Sequence, residues 1–224
     1  MRNYNLTIED SVITWIETTD DAGNPIEGVL YIPKEATSFS ADAWVSLGCE
    51  AHGINVHKDN PVYASAHNCL LSKDGTTLIK TCRNSDVSKL TGLKTIGRDA
   101  FQTVGEYRDA FVFRIPHGVE VLDYRAFAIC AETVNIIVPD SVVFVNLLSF
   151  MTHSAHTHIT FEGDAILRIG TFGTAAEAKD SGFAVYKSMP SVLYSRPENI
   201  TVSCPPNSKI STYCKKYGIP EVSR

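Results

Sequence analysis

Along most of the chain the apolar residues fall in short alternating groups rather than long stripes. Leu30-Tyr31-Ile32, Ile54-Asn55-Val56, Phe113-Arg114-Ile115, Ile136-Ile137-Val138, Ile159-Thr160-Phe161 and Val202-Ser203-Cys204 all read apolar, any residue, apolar. A period of two over so few residues predicts short strands with one buried face. Pro33, Pro116 and Pro139 each directly follow one of these groups. Proline has no N–H to give to a ladder, so it ends a strand.

These groups belong to a longer repeat. Pro116 to Pro139 is 23 residues, as is Phe127 to Phe150, and in both units the aromatic stands 11 after the proline. Pro33 plus 11 gives Trp44, and Phe101 minus 11 gives Leu90, a unit that has lost its proline. Three residues after the proline site stand Ala36, Leu93, Val119 and Val142; six after it stand Phe39, Ile96, Leu122 and Val145. One such unit cannot bury its own apolar face, but stacked units place like on like along an axis and close a continuous core. The pattern predicts Pro33, Pro116 and Pro139 in register along one edge. It also predicts Trp44, Phe101, Phe127 and Phe150 stacked in one buried column.

The remaining segments fit around that solenoid in a single domain spanning residues 1–224. Residues 1–28 read as an N-terminal cap of two strands and a turn, since a solenoid end must hide its open layer and sheet edge. Residues 59–82 read as an inserted hairpin with Asp74-Gly75 at its tip, a register that sets Cys69 opposite Lys80 and Cys82 opposite His67. Residues 29–162 hold the repeats, 163–198 a degenerate repeat, and 199–224 a closing strand and cap helix. In that helix Ile210, Tyr213, Cys214 and Tyr217 recur at i, i+3, i+4 and i+7, with Gly218 at the C-cap and Pro220 as the stop.

The segment Ile115–Cys130, reading IPxxVxxLxxxAFxxC, resembles the BspA-type leucine-rich repeat. Residues 60–80 resemble the hairpin that family inserts between repeats, and residues 200–220 its closing strand and cap helix. The resemblance covers 29–162 and 199–221. It implies a β-rich (α+β) right-handed leucine-rich-repeat superhelix with a parallel sheet on one face. It also implies a bacterial protein that is extracellular or at the cell surface, with roles in adhesion and partner binding, and no catalytic residues. Leu90 in place of proline, and Val104 and His153 in place of the cysteine matched by Cys130, depart from the pattern.

Composition narrows the functional classes. Apolar residues make up 44% of the chain and charged residues 20%, which suits a folded domain. A net charge of −5 lacks the basic footprint that releases phosphate counterions, so no nucleic-acid partner is expected. No apolar run approaches the roughly 20 residues that span a bilayer, so no membrane insertion is expected. The opening MRNYNLTIEDSVITW shows no apolar leader core, which leaves a cytoplasmic location open. None of the six cysteines forms a CxxC pair, and most read as small core residues.

The sharpest candidate for chemistry is His153, His156 and His158, whose spacing chelates a metal only if a turn feeds a strand. Such a metal-dependent protein or enzyme is the alternative reading. No Gly-x-Ser-x-Gly element or phosphate loop is present, and Cys130 falls at a repeat core position, where a buried cysteine is inert without an electropositive setting. No cofactor or metal is therefore expected. The better-founded expectation is a non-catalytic module that recognises a protein or glycan, such as host extracellular matrix or cell-surface material, through the sheet face. Alternate strand residues point away from the core and give two outward rows. The candidate partner-binding residues are Tyr31, Asn55, Arg114, Asn135, Ile137, His158 and Thr160.

Overall fold

The computed structural model describes residues 4–102, 107–129, 131–152, 154–181 and 197–223. The chain forms a solenoid of about six turns with few helices. Its main parallel sheet has four strands in the order β10 (Tyr107–Arg114), β12 (Ala131–Val138), β14 (His156–Phe161) and β16 (Ile200–Ser203). Phe113, Ile136, Ile159 and Val202 stand side by side across it. Pro116 and Pro139 follow matched positions on β10 and β12 and are therefore in register, as the repeat predicts. Pro33 departs from that line. It ends β3 (Val29–Ile32), which pairs only with β5 (Gly53–Val56) in a separate two-stranded sheet. No strand of the described residues links β5 to β10. The segment after the insertion instead makes a short helical turn at Val87–Lys89.

The opposite wall is a seven-stranded sheet of very short strands. β9 (Thr95–Ile96), β11 (Val121–Leu122), β13 (Phe144–Val145) and β15 (Ile166–Leu167) are successive parallel neighbours, with Leu122 on Val145 and Val145 on Leu167. Ala36, Leu93, Val119 and Val142, the positions three after the proline site, are all buried. Each turn then rounds a corner in left-handed backbone, at Asp99, Arg125, Leu148 and Gly170, two residues before an aromatic. The ring that follows is Phe101, Phe127, Phe150 or Phe172. Their centroids lie 4.8, 5.8 and 5.8 Å apart, and the rings are nearly parallel.

That column corrects the sequence reading at both ends. Phe172 extends it, so residues 163–173 are a regular turn, one residue shorter than the turn before: Val145 pairs with Leu167, 22 on, where Leu122 pairs with Val145, 23 on. The glycines hid this. Gly163 is required because a Cβ there would stand 2.6 Å from the Cα of Asp140 in the turn below. Residues 182–196, the rest of the expected degenerate repeat, lie outside the described residues. Trp44 does not join the column. It sits on a helix, α1 (Ala41–Glu50), half-buried against Phe39, because Ser40 caps that segment and turns it helical. Lys80 is fully buried, with its ammonium 5.2 Å from the Trp44 ring centre.

The insertion is also more than a hairpin. β6 (Tyr63–Ala66), β7 (Cys69–Ser72) and β8 (Thr77–Lys80) form an antiparallel meander, with His67-Asn68 and the Asp74-Gly75 tip as its two turns. β8 then pairs in parallel with β9, so the insertion supplies a strand of the second sheet. The arm register differs by one from the expected one: Leu70, not Cys69, faces Lys80, because the ladder is irregular between Leu70 and Leu71. Cys69, Cys82 and Cys214 are free thiols. The Cys49 side chain and Cys130 lie outside the described residues.

Both ends are closed. β1 (Asn5–Glu9) and β2 (Val12–Glu17) form the expected N-terminal hairpin, and β2 also pairs with β4 (Ser38–Phe39) of the first repeat. The C-terminal helix α3 (Lys209–Tyr217) buries Ile210, Cys214 and Tyr217 and ends on left-handed Gly218, as its stripe predicts. Its Tyr213 ring lies 6.1 Å from Phe172 and closes the aromatic column. The Tyr213 hydroxyl donates to Glu177 of α2 (Ala175–Ser181). Glu177 in turn accepts from the N–H of Thr174 at 2.8 Å, while Thr174 Oγ1 accepts from the N–H of Glu177. This reciprocal pair is a capping box that starts α2.

Candidate functional site on the sheet face

On the outer face of the main sheet, strand pairing arranges side chains in two straight rows. One runs Arg114, Ile137, Thr160, Ser203; the other runs Val112, Asn135, His158, Thr201. Neighbours within a row are a strand spacing of about 4.8 Å apart. Five of the seven candidate residues, Arg114, Asn135, Ile137, His158 and Thr160, are thus brought together. Tyr31 and Asn55 are not. They pair with each other on β3 and β5, apart from the main sheet, because the segment around Val87–Lys89 interrupts the row.

The rows are held by contacts the repeat did not reveal. Arg114 Nη1 donates to both carboxylate oxygens of Glu162 at 2.9 Å. Glu162 follows β14 and Arg114 belongs to β10, so the pair reaches across β12 over Ile137, which is half-buried. His158 lies among hydroxyls: Thr201 Oγ1 is 2.8 Å from Nδ1, and Thr160 and Ser203 Oγ are 3.1 and 3.4 Å from Nε2. Ser203 is itself covered, with Oγ donating to the carbonyl of Val222 in the C-terminal tail. Val112 is 70% exposed, the most open large apolar residue on this face. The signal for Glu162 was present in the sequence. It stands two residues beyond Thr160, hence on the same face of an alternating strand.

The histidine string does not assemble among the described residues. His156 and His158 are both on β14, while His153 lies outside the described residues. No group of three or more His, Cys, Asp or Glu gathers as a metal set among the described residues. Buried nucleophiles are shielded rather than activated. Desolvation pushes the Cys69 thiol up to about 11 and the Cys214 thiol up to about 12, which keeps both protonated at neutral pH. Burial likewise raises the carboxyl of Glu177, whose partners are the backbone of its own cap and Tyr213. Among the described residues no helix is long and apolar enough to cross a membrane.

No protein-family model matches the chain, and no curated protein matches it. Among solved structures it is similar to the pneumococcal vaccine antigen PcpA, at 17% identity and a TM-score of 0.46, over 89% of this chain and 56% of that one. It is also similar to a leucine-rich repeat protein from Eubacterium ventriosum, at 17% identity and a TM-score of 0.45, over 65% of this chain and 38% of that one. The chain therefore spans little more than half the length of the first and less of the second.

Proposed function

We propose that the chain is a non-catalytic binding or adhesion module that recognises a protein or glycan through the main sheet face. The observation that carries this is the pair of rows on β10, β12, β14 and β16. Side chains anchored on a hydrogen-bonded sheet lose little freedom on binding, so a modest patch can hold a partner. The face is mixed, with Val112 and Ile137 apolar and Asn135, His158 and Thr160 polar. Mixed polarity along both rows suits a protein or glycan surface. Arg114 and Glu162 satisfy each other, so the face carries little net charge and does not select for phosphate.

An extracellular or cell-surface setting and kinship with the BspA-type repeats belong to the same proposal. They are supported by the motif at Ile115–Cys130. The test is surface plasmon resonance of the purified chain against extracellular-matrix proteins and cell-surface extracts. Val112→Glu with Asn135→Lys should weaken a captured partner at least about tenfold, or about 1.4 kcal/mol. Unchanged affinity of this folded variant for every partner captured by the wild type would sink the sheet-face reading.

A further inference from the structure

The two sheet-face residues left apart from the main site border a second feature, which the repeat does not explain. A cleft of about 350 Å³ opens between β3, β5 and the β6–β7 turn, lined by Glu27, Gly28, Val29, His52, Gly53, Asn68 and Asn84. We propose that this cleft is a saccharide site that takes one neutral sugar residue, with Tyr31 as the platform for the next. The inference is independent of the sheet-face reading.

The chemistry of the walls selects the ligand class. Glu27 offers a carboxylate and Asn84 a full amide, and neither side chain makes a hydrogen bond among the described residues. Both are exposed at the cleft. Asn68 is fixed: its Nδ2 donates to the Asn84 carbonyl at 3.1 Å. Gly53 leaves room for it, since a Cβ there would stand 2.9 Å from Asn68 Oδ1. The floor at Gly28 and Gly53 carries no side chains, so a ring can approach the backbone closely. The result is a small concavity with acceptors and donors interleaved, as vicinal hydroxyls require, because each hydroxyl both donates and accepts.

Charge weighs against anionic ligands. The guanidinium of Arg83 stands 3.2 Å from the His52 ring at one side, and the Glu27 carboxylate lines the cleft. A phosphate or carboxylate ligand meets Glu27, and the rest of the lining is amide, imidazole and backbone, groups that hydroxyls can pair with. The volume lies at the small end of the roughly 300–1,000 Å³ of small-molecule sites, which suits a single ring rather than a nucleotide. The direction of a longer chain is given by Tyr31. It lies two residues beyond Val29 on the same face of β3, about 6.6 Å along the strand, and is 44% exposed. Its ring stands edge-on to His57 with centroids 6.3 Å apart, which orients it as a flat apolar surface for sugar C–H groups.

The experiment uses the full chain and the methyl glycosides of glucose, galactose, mannose and N-acetylglucosamine, with methyl glucuronide and glucosamine as charged counterparts. Saturation-transfer NMR should detect at least one neutral glycoside, and titration should give its Kd. Glu27→Gln with Asn84→Ala should weaken it at least about tenfold while leaving the thermal midpoint unchanged, since neither side chain is hydrogen-bonded. Val112→Glu with Asn135→Lys should leave it unaltered, which separates this site from the sheet face. Binding of no neutral glycoside, binding only of the charged pair, or full binding by the Glu27/Asn84 variant would each overturn the proposal.

Discussion

The ammonium of the fully buried Lys80 lies 5.2 Å from the centre of the Trp44 ring. It donates to the carbonyls of Asp99 and Gln102 at 3.0 and 3.1 Å, at the first corner of the Phe column. A buried cation thus joins the meander to the solenoid. Lys80→Met keeps the stem packing and removes the bonds. It should cost about 1–3 kcal/mol per carbonyl left without a partner, read as a lower urea midpoint at unchanged slope. A wild-type midpoint would mean that water replaces the ammonium.

Phe127 should be the most costly single deletion in the core. It is fully buried and stacks on both Phe101 and Phe150. Phe127→Ala should lose about 3–5 kcal/mol through cavity formation. Trp44→Ala should lose less despite removing a larger ring, because Trp44 is half-buried and outside the column. Equal losses measured by chemical denaturation would contradict the column as described.

Gly163→Ala tests the tight stacking of the shortened turn. The added methyl would meet the Asp140 backbone at 2.6 Å, and backbone cannot swing aside as a side-chain tip can. Overpacking of this kind costs about 1–3 kcal/mol. Gly23→Ala is not a suitable control, because Gly23 has a positive φ of 80° that strains any side chain. Thr95→Ala, on the half-exposed row of the second sheet, is the better comparison and should change the thermal midpoint little.

Glu177 should make the C-terminal cap sensitive to pH. Burial raises its carboxyl above the ordinary value of about 4.3. The folded state therefore keeps the proton to higher pH than the unfolded state does. Its contribution is fully present below about pH 4 and is lost as pH rises through the folded-state value. Glu177→Gln does not titrate, so the stability of the variant relative to wild type should improve as pH rises above about 4.5. The check is a set of urea midpoints for both proteins across that range. A constant difference between them would mean that Glu177 ionises as freely in the fold as in the unfolded chain.

Arg114→Met should leave the fold intact. The Arg114–Glu162 pair is exposed, with Arg114 at 59% and Glu162 at 37%, and exposed pairs are worth about 0–1 kcal/mol. A loss well above 1 kcal/mol by denaturation would show that the pair holds β10 to β14 rather than lying on them.

The repeating core was legible because stacking imposes one residue class on each position. Phe101, Phe127 and Phe150 share a column, and Ile136 and Ile159 share a row, since a buried slot that recurs every turn demands a similar side chain each time. The outward rows followed from the same alternation. The cap helix was legible for a related reason, its stripe at Ile210, Cys214 and Tyr217 being set by one buried face. Positions governed by backbone geometry were not legible. The left-handed corners fall on Asp99, Arg125, Leu148 and Gly170, four unrelated residues, because the turn dictates φ there and the side chain is free to vary.

What the sequence by itself determined was the period, the core rows and which residues face out. The tertiary structure decided which rows continue from turn to turn. Tyr31 and Asn55 were separated from Arg114 and Ile137 because the meander diverts the chain into the second sheet and returns it as the short helical turn Val87–Lys89. Trp44 was displaced because a helix capped by Ser40 carried it out of the column. Pairing across such an interruption depends on contacts between residues far apart in the chain, and those contacts are energies of the assembled fold rather than properties of any one repeat.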